Sequence, residues 1–341
     1  MRRREFIWTL GASFGAARAA LADYSVVSEK PLIAQFNLES VDSRYTPAAE
    51  FYVRNHFAVP VASSVSSIQI TGEVKGSAVV TETDVARLKL RQLGAVLECS
   101  GDGTSPYALA GNALWQGWSL RDVVELAAPK PGAAYLHLYG ADGFVRSVPI
   151  QRLEENAMLA TRLNQAPLLP NHGAPWRAFF PGYYGMDSVK WLSRIEVARD
   201  PIPPVPDEYW AMVQGKSGKV ERRPLPAIQL KSAFIYPDVG AVLRAGILNA
   251  RGLAWSGGAP IMAVEVSVDG GESWRLAEIE PAGKYEWRFW RASLDLTQTG
   301  VAQLACKALD QAGHEQPATR PPNRLDDYAD NTIERIRVIV I

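Results

Sequence analysis

The sequence predicts an α+β first domain followed by an immunoglobulin-like β-sandwich, and three observations carry that reading. Ala263-Val264-Glu265-Val266-Ser267-Val268 alternates with period two, turns at Asp269-Gly270-Gly271 and resumes over 274–279, which is a hairpin pattern. Strand-like runs follow at 287–294, 301–309 and 332–341. Roughly five to seven short strands in about 115 residues is the density of a sandwich. Ahead of them, strand-like segments at 67–74, 134–139 and 189–197 mix with a helix announced by Ser119-Leu120-Arg121-Asp122, a capping pattern before Val123, Val124 and Leu126.

The boundary between the two is marked by Pro201-Ile202-Pro203-Pro204-Val205-Pro206 and the polar Gly215-Lys216-Ser217-Gly218-Lys219. The expected division is 1–22, 23–224 and 225–341. At 341 residues and 47% hydrophobic, the chain has enough apolar material for two cores. A formal charge of zero offers no basic footprint for nucleic acid.

Met1-Arg2-Arg3-Arg4-Glu5-Phe6-Ile7, a modestly apolar run to Ala17 and Ala20-Leu21-Ala22 before Asp23 read as a cleaved export signal of the twin-arginine type. The run is too short and too rich in Gly and Ala to span a bilayer, which takes roughly 20 apolar residues. Cleavage removes four arginines and one glutamate from 36 residues of each sign, leaving a formal charge of −3. The expected location is periplasmic. Export after folding suits a protein that receives a cofactor in the cytoplasm.

Cys99, in Leu97-Glu98-Cys99-Ser100-Gly101, is the thiol best placed for metal chemistry. One sulfur with no neighbouring Cys or His cannot build a tetrahedral zinc site, so most of the metal's ligands must come from a cofactor. A disulfide to Cys306 is conceivable in an oxidising compartment but would consume the thiol. Cys306 itself lies in the alternating Leu304-Ala305-Cys306-Lys307-Ala308-Leu309 and reads as strand core. His137 and His314 read as structural or solvated.

Cys99 stands between Phe51-Tyr52-Val53-Arg54-Asn55-His56 and His172-Gly173-Ala174-Pro175-Trp176-Arg177. Pro181-Gly182-Tyr183-Tyr184-Gly185, Val189-Lys190-Trp191-Leu192 and Trp287-Arg288-Phe289-Trp290 follow. Together these segments resemble the sulfite oxidase family of molybdopterin enzymes over nearly all of the chain after the leader. In that family the motifs F-x-V-R-N-H-x-x-V-P, L-x-C-x-G, H-G-x-P-x-R, P-G-x-x-G and V-K-W-L run in this order.

The resemblance implies a sulfite-oxidase-type molybdopterin domain, then a sandwich that serves dimerisation. The implied cofactor is molybdenum with one molybdopterin, and Cys99 is the implied metal ligand. Phe51, Arg54, Asn55, His56 and Ser147 would face the cofactor, as would Asp142, although Asp142-Gly143 is a turn signal first. His172, Arg177, Ser188 and Lys190 would hold its phosphate and ring, with Gly173, Gly182 and Gly185 permitting close approach. Arg54 and Arg288 would bind an oxyanion substrate, because a planar guanidinium matches its oxygens bidentately.

Two positions depart from the family pattern. Where sulfite-oxidising members usually carry an active-site Tyr, this chain has Thr161, and where many carry an Arg five residues after the cysteine it has Thr104. Arg162, Tyr183 or Tyr184 are candidates to compensate. The expected activity is oxygen-atom transfer to a small anionic sulfur substrate, most simply sulfite to sulfate, with Thr161 in the pocket. The alternatives are a sulfane-sulfur dehydrogenase subunit or an oxidoreductase for another S-oxo compound, and, outside enzymes, an interaction protein built on the sandwich. The sequence has no C-x-x-C-H haem motif, so electrons are expected to leave to a separate acceptor, a cytochrome c. The expected assembly is a homodimer or a complex with a haem subunit.

Overall fold

A computed structural model describes residues 24–61, 65–103 and 107–341. The leader and Thr104 lie outside the described residues. Strands dominate both halves, with the period-two sequence segments supplying them.

In the first part, Ile68–Gly72 pairs in parallel with Leu192–Ala198, which pairs antiparallel with Tyr135–Gly140, so the three segments read as strands from sequence become neighbours in one five-stranded sheet. Val189, Lys190 and Trp191 precede the strand rather than joining it. A second five-stranded sheet is built on the long hairpin Leu90–Glu98 and Ala110–Ser119, with Met158–Leu163 beside it. A three-stranded sheet of Tyr24–Glu29, Leu32–Phe36 and Val53–Arg54 completes this part.

Helix is sparse. The helix Leu120–Glu125 forms where Ser119 announces it, with the Ser119 hydroxyl accepting from Asp122 N–H at 3.3 Å. It stops after six residues, and Leu120, Val123 and Val124 are its buried face.

The glycine-rich 215–219 segment is a hairpin turn, not a loose linker. Trp210–Gln214 pairs with Val220–Pro224, Gly215 N–H donates to Lys219 O at 2.8 Å, and Gly218 takes a φ of 78°. The β-strand signal was too weak to see from sequence because Val220–Pro224 is exposed throughout and carries no alternation.

After 225 the chain forms two packed sheets. One orders Lys231–Tyr236, Gly246–Trp255, Arg288–Leu296 and Glu278–Ile279, and the other Val242–Leu243, Glu334–Val340, Gly300–Asp310, Ile261–Ser267 and Arg275–Leu276. Of the segment read as alternating, Val264 and Val266 are buried between less buried neighbours at 263 and 265, and every second residue of Glu334–Val340 also points inward. Leu248, Trp290 and Leu294 from one sheet meet Val264, Leu304, Cys306 and Val338 from the other. Cys306 is fully buried, as its strand position implies, and both cysteines are free.

The sandwich also adds to the first part's core. Leu225, Ile228, Ala233, Ile235, Trp255 and Trp287 belong to the same apolar cluster as Trp115, Phe179 and Leu97. The two parts therefore meet over a continuous buried surface, next to the end of the strand that carries Cys99.

Candidate active site and cofactor cleft

One cleft gathers most of the residues singled out in the sequence. Phe51, Arg54, Asn55, His56, Cys99, Asp142, His172, Arg177, Ser188 and Lys190 line it, together with Tyr52, Leu97, Phe144, Gly185, Met186, Val189 and Tyr209. Each arrives from a strand end or a tight turn, where backbone leaves the sheet and side chains are free to converge. Cys99 follows directly on Leu90–Glu98, and Arg54 ends the short strand Val53–Arg54. His172 closes a short 3-10 turn, with Gly173 after it at a φ of 99°. A Cβ on Gly173 would sit 3.0 Å from the Lys190 side chain, so glycine lets the two motif segments touch.

The cations are held by neutral groups. Arg177 donates to His172 O at 3.2 Å and to Ser188 O at 2.6 Å, and Lys190 donates to Arg54 O, to Asn171 O and to the Asn55 side-chain oxygen. Neutral acceptors orient these groups without cancelling their charge. Two buried N–H donors on the wall, Asn55 Nδ2 and Arg177 Nε, have no partner. A buried unpaired donor is costly, so a ligand rich in acceptor oxygens is what this wall is built to receive.

Electrostatics agree. Burial, then the charges of Arg177 and Arg54, push the Lys190 ammonium well below its ordinary range. Burial lowers Arg177 to about 10. Burial, reinforced by Lys190 and Arg177, lowers His172 to about 3, and burial with Arg54 and Lys190 lowers His56 to about 4. Both imidazoles are thus neutral near pH 7, and the cleft presents crowded cations that an anion would relieve. The Cys99 thiol is pushed up to about 11, chiefly by burial. It stays protonated unless a metal displaces the proton.

Three predicted residues stand off the wall. Thr161 follows Ala160, the strand partner of Arg177, at an irregularity in the ladder, and is not among the residues that line the cleft. Ser147 sits on the strand Val145–Pro149 with its hydroxyl buried and unpartnered, outside the cleft lining. Arg288 is paired opposite Ala254 in the sandwich, and its guanidinium turns back to Ala282 O at 3.3 Å. The candidate compensators are also elsewhere: Arg162 bonds Gln165 O on the surface, Tyr183 bonds Glu155, and the buried Tyr184 hydroxyl accepts from Gln229 N–H. Asp142 does line the cleft, while its carboxylate also accepts from Phe144 N–H at 3.1 Å as the turn signal requires.

The phenols of the cleft are instead Tyr52 and Tyr209. Tyr209 comes from the segment after the prolines, at a φ of 68°, and its hydroxyl meets His56 Nε2. Arg146 lies over its ring at 6.0 Å, and Tyr328 packs against it with centroids 5.4 Å apart. No motif flags Tyr209. Tyr52 stood inside a motif segment, at a position without a named role.

Comparison with known proteins agrees with this geometry. Residues 56–206 match the oxidoreductase molybdopterin binding domain, and residues 222–340 match the Mo-co oxidoreductase dimerisation domain. The chain is 30% identical to sulfite oxidase of Gallus gallus, over 87% of this chain and 73% of that one. It is 28% identical to the mitochondrial sulfite oxidase of Mus musculus, over 92% of this chain and 65% of that one. Its fold superposes on the sulfane dehydrogenase SoxCD of Paracoccus pantotrophus with a TM-score of 0.84 at 23% identity, covering 96% of this chain and 93% of that one.

The cleft fits a molybdenum–molybdopterin. Among the described residues no group of three or more His, Cys, Asp or Glu side chains is arranged to hold a metal, so a metal held at the single thiol of Cys99 would need a cofactor to complete its coordination. Arg177, Lys190 and the unpartnered N–H groups suit the cofactor's anionic and acceptor-rich parts. The cofactor of this oxidoreductase is molybdenum–molybdopterin, and the chain belongs to the sulfite oxidase family.

Proposed function

We propose that the protein is a periplasmic oxidoreductase that transfers an oxygen atom to a sulfur oxyanion, most simply sulfite to sulfate, and passes the two electrons to an external acceptor such as a cytochrome c. The convergence of the Cys99 thiol, the Arg54 guanidinium and neutral His56 on one cleft carries this reading. When bound, the cofactor supplies the two-electron redox chemistry. Arg54 contributes a bidentate charge for the oxyanion. His56 and Tyr209, in hydrogen-bond contact, form a route for the protons that oxidation with water releases. Molybdenum analysis followed by a substrate screen with an artificial electron acceptor tests the proposal. Sulfite turnover supports it, and turnover with a sulfane-sulfur compound but not sulfite supports the dehydrogenase alternative instead.

Tyr209→Phe keeps the ring against Tyr328 and removes the hydroxyl at His56. The expected result is a fall in kcat on the order of tenfold, about 1.4 kcal/mol of barrier, with KM little changed. Steady-state kinetics at equal molybdenum content check this, and an unchanged kcat removes Tyr209 from proton transfer.

The mature protein is expected to begin at Asp23 and to self-associate through residues after about 225. Val242, Ile339 and Val301 are cross-strand neighbours on one sheet of the sandwich, 59%, 44% and 74% exposed, an apolar surface suited to burial in a partner. N-terminal sequencing and sedimentation check both points. A sole monomer at micromolar concentration counts against the homodimer, and a co-purifying haem protein favours the mixed complex.

A further inference from the structure

Strand Leu90–Glu98 delivers Cys99 into a turn closed by Asp102 N–H donating to Cys99 O at 2.9 Å. Both ends of that turn are gripped by one side chain from the sandwich. The ammonium of Lys231 donates to Glu98 Oε1 at 2.7 Å, one residue before the thiol, and to Asp102 O at 2.8 Å, three residues after it. Trp255, the strand partner of Lys231, donates its indole N–H to the other Glu98 oxygen at 2.7 Å. Lys231 also lies over the Tyr107 ring at 4.7 Å. Lys231 and Glu98 are both 0% exposed. Within the turn, Ser100 O accepts from Ala329 N–H at 2.7 Å, a second tie to the sandwich.

A fully buried ion pair is poor value as a source of stability, because removing two charges from water costs about what their attraction returns. Its satisfied hydrogen bonds do fix a unique geometry. Here the atoms so fixed are the residues on either side of the metal-ligating sulfur.

We propose that Lys231 and Glu98 are a positioning pair that sets the Cys99 sulfur against the cofactor, so that docking of the sandwich determines the metal's protein ligation. The proposal rests on Cys99 being the ligand. Groups that orient a ligand from behind typically change affinity or activity by about 10- to 100-fold when removed.

The test compares the holoenzyme with Lys231→Met and with the double variant Glu98→Gln/Lys231→Met, at equal molybdenum content. The single variant leaves a buried carboxylate unpaired and is liable to misfold. The double variant removes both charges together and keeps the reading possible if the single one is lost. The measurements are the thiolate-to-metal absorption band, kcat and KM, with thermal unfolding alongside. The expected result for the double variant is near-normal unfolding, a shifted band and a kcat lowered on the order of tenfold at similar KM. A band and kcat like those of the parent in a folded variant overturn the positioning role. A parent holoenzyme with molybdenum but no thiolate-to-metal band overturns the ligand assignment instead, which separates the two failures.

Discussion

Cys99→Ser should abolish turnover while leaving a folded protein. The side chain is 8% exposed and the exchange of sulfur for oxygen changes little volume, so packing around it survives. What is lost is ligand chemistry: a thiol yields its proton to a metal and becomes a soft anionic donor, whereas a serine hydroxyl remains a neutral, hard one. Pterin should stay bound, because Arg177 and Lys190 are untouched. Turnover measured at equal pterin content checks this. Parent-like activity in the serine variant would show that another group holds the metal.

Arg54→Lys should raise KM for an anionic substrate on the order of tenfold, about 1.4 kcal/mol, although formal charge is kept. A guanidinium presents a planar fork that meets two oxygens at once, and an ammonium cannot. Two further cations already crowd the site, since Arg177 and Lys190 line the same cleft. Charge alone is therefore well supplied there, and geometry is the property at stake. Steady-state kinetics with sulfite over a range of concentrations check the expectation. An unchanged KM removes Arg54 from substrate binding.

The fold was legible wherever one face of a strand is buried. In Glu334–Val340 and Ile261–Ser267 the chain alternates because the sandwich interior is dry, and the sequence carries that imprint. The hairpin Trp210–Gln214 with Val220–Pro224 was not legible, since its second strand is solvated along its length and reads as linker. The helix that Ser119 announces is present, but a good cap says nothing of how far a helix runs, and this one stops after six residues.

The cleft was legible where ordered motifs marked it. The motif segments bring Arg54, Cys99, His172, Arg177 and Lys190 to one place. Thr161, Ser147 and Arg288 lie off the cleft lining, and at Thr161 the ladder register shifts between Ala160 and Arg162, which a motif read in sequence order does not reveal. Tyr209 and Lys231 were missed for another reason. Each acts at the cleft or behind it through contacts made only on folding, across 153 residues from His56 and 133 from Glu98, and nothing in the local sequence of either announces it.

The central claim is that the chain holds one molybdenum–molybdopterin with Cys99 as its protein ligand. X-ray absorption at the molybdenum edge, on purified holoenzyme and on the Cys99→Ser variant, tests it most directly. The predicted result is metal bound in both, with one sulfur neighbour fewer in the variant. An equal sulfur count in the two proteins contradicts the account.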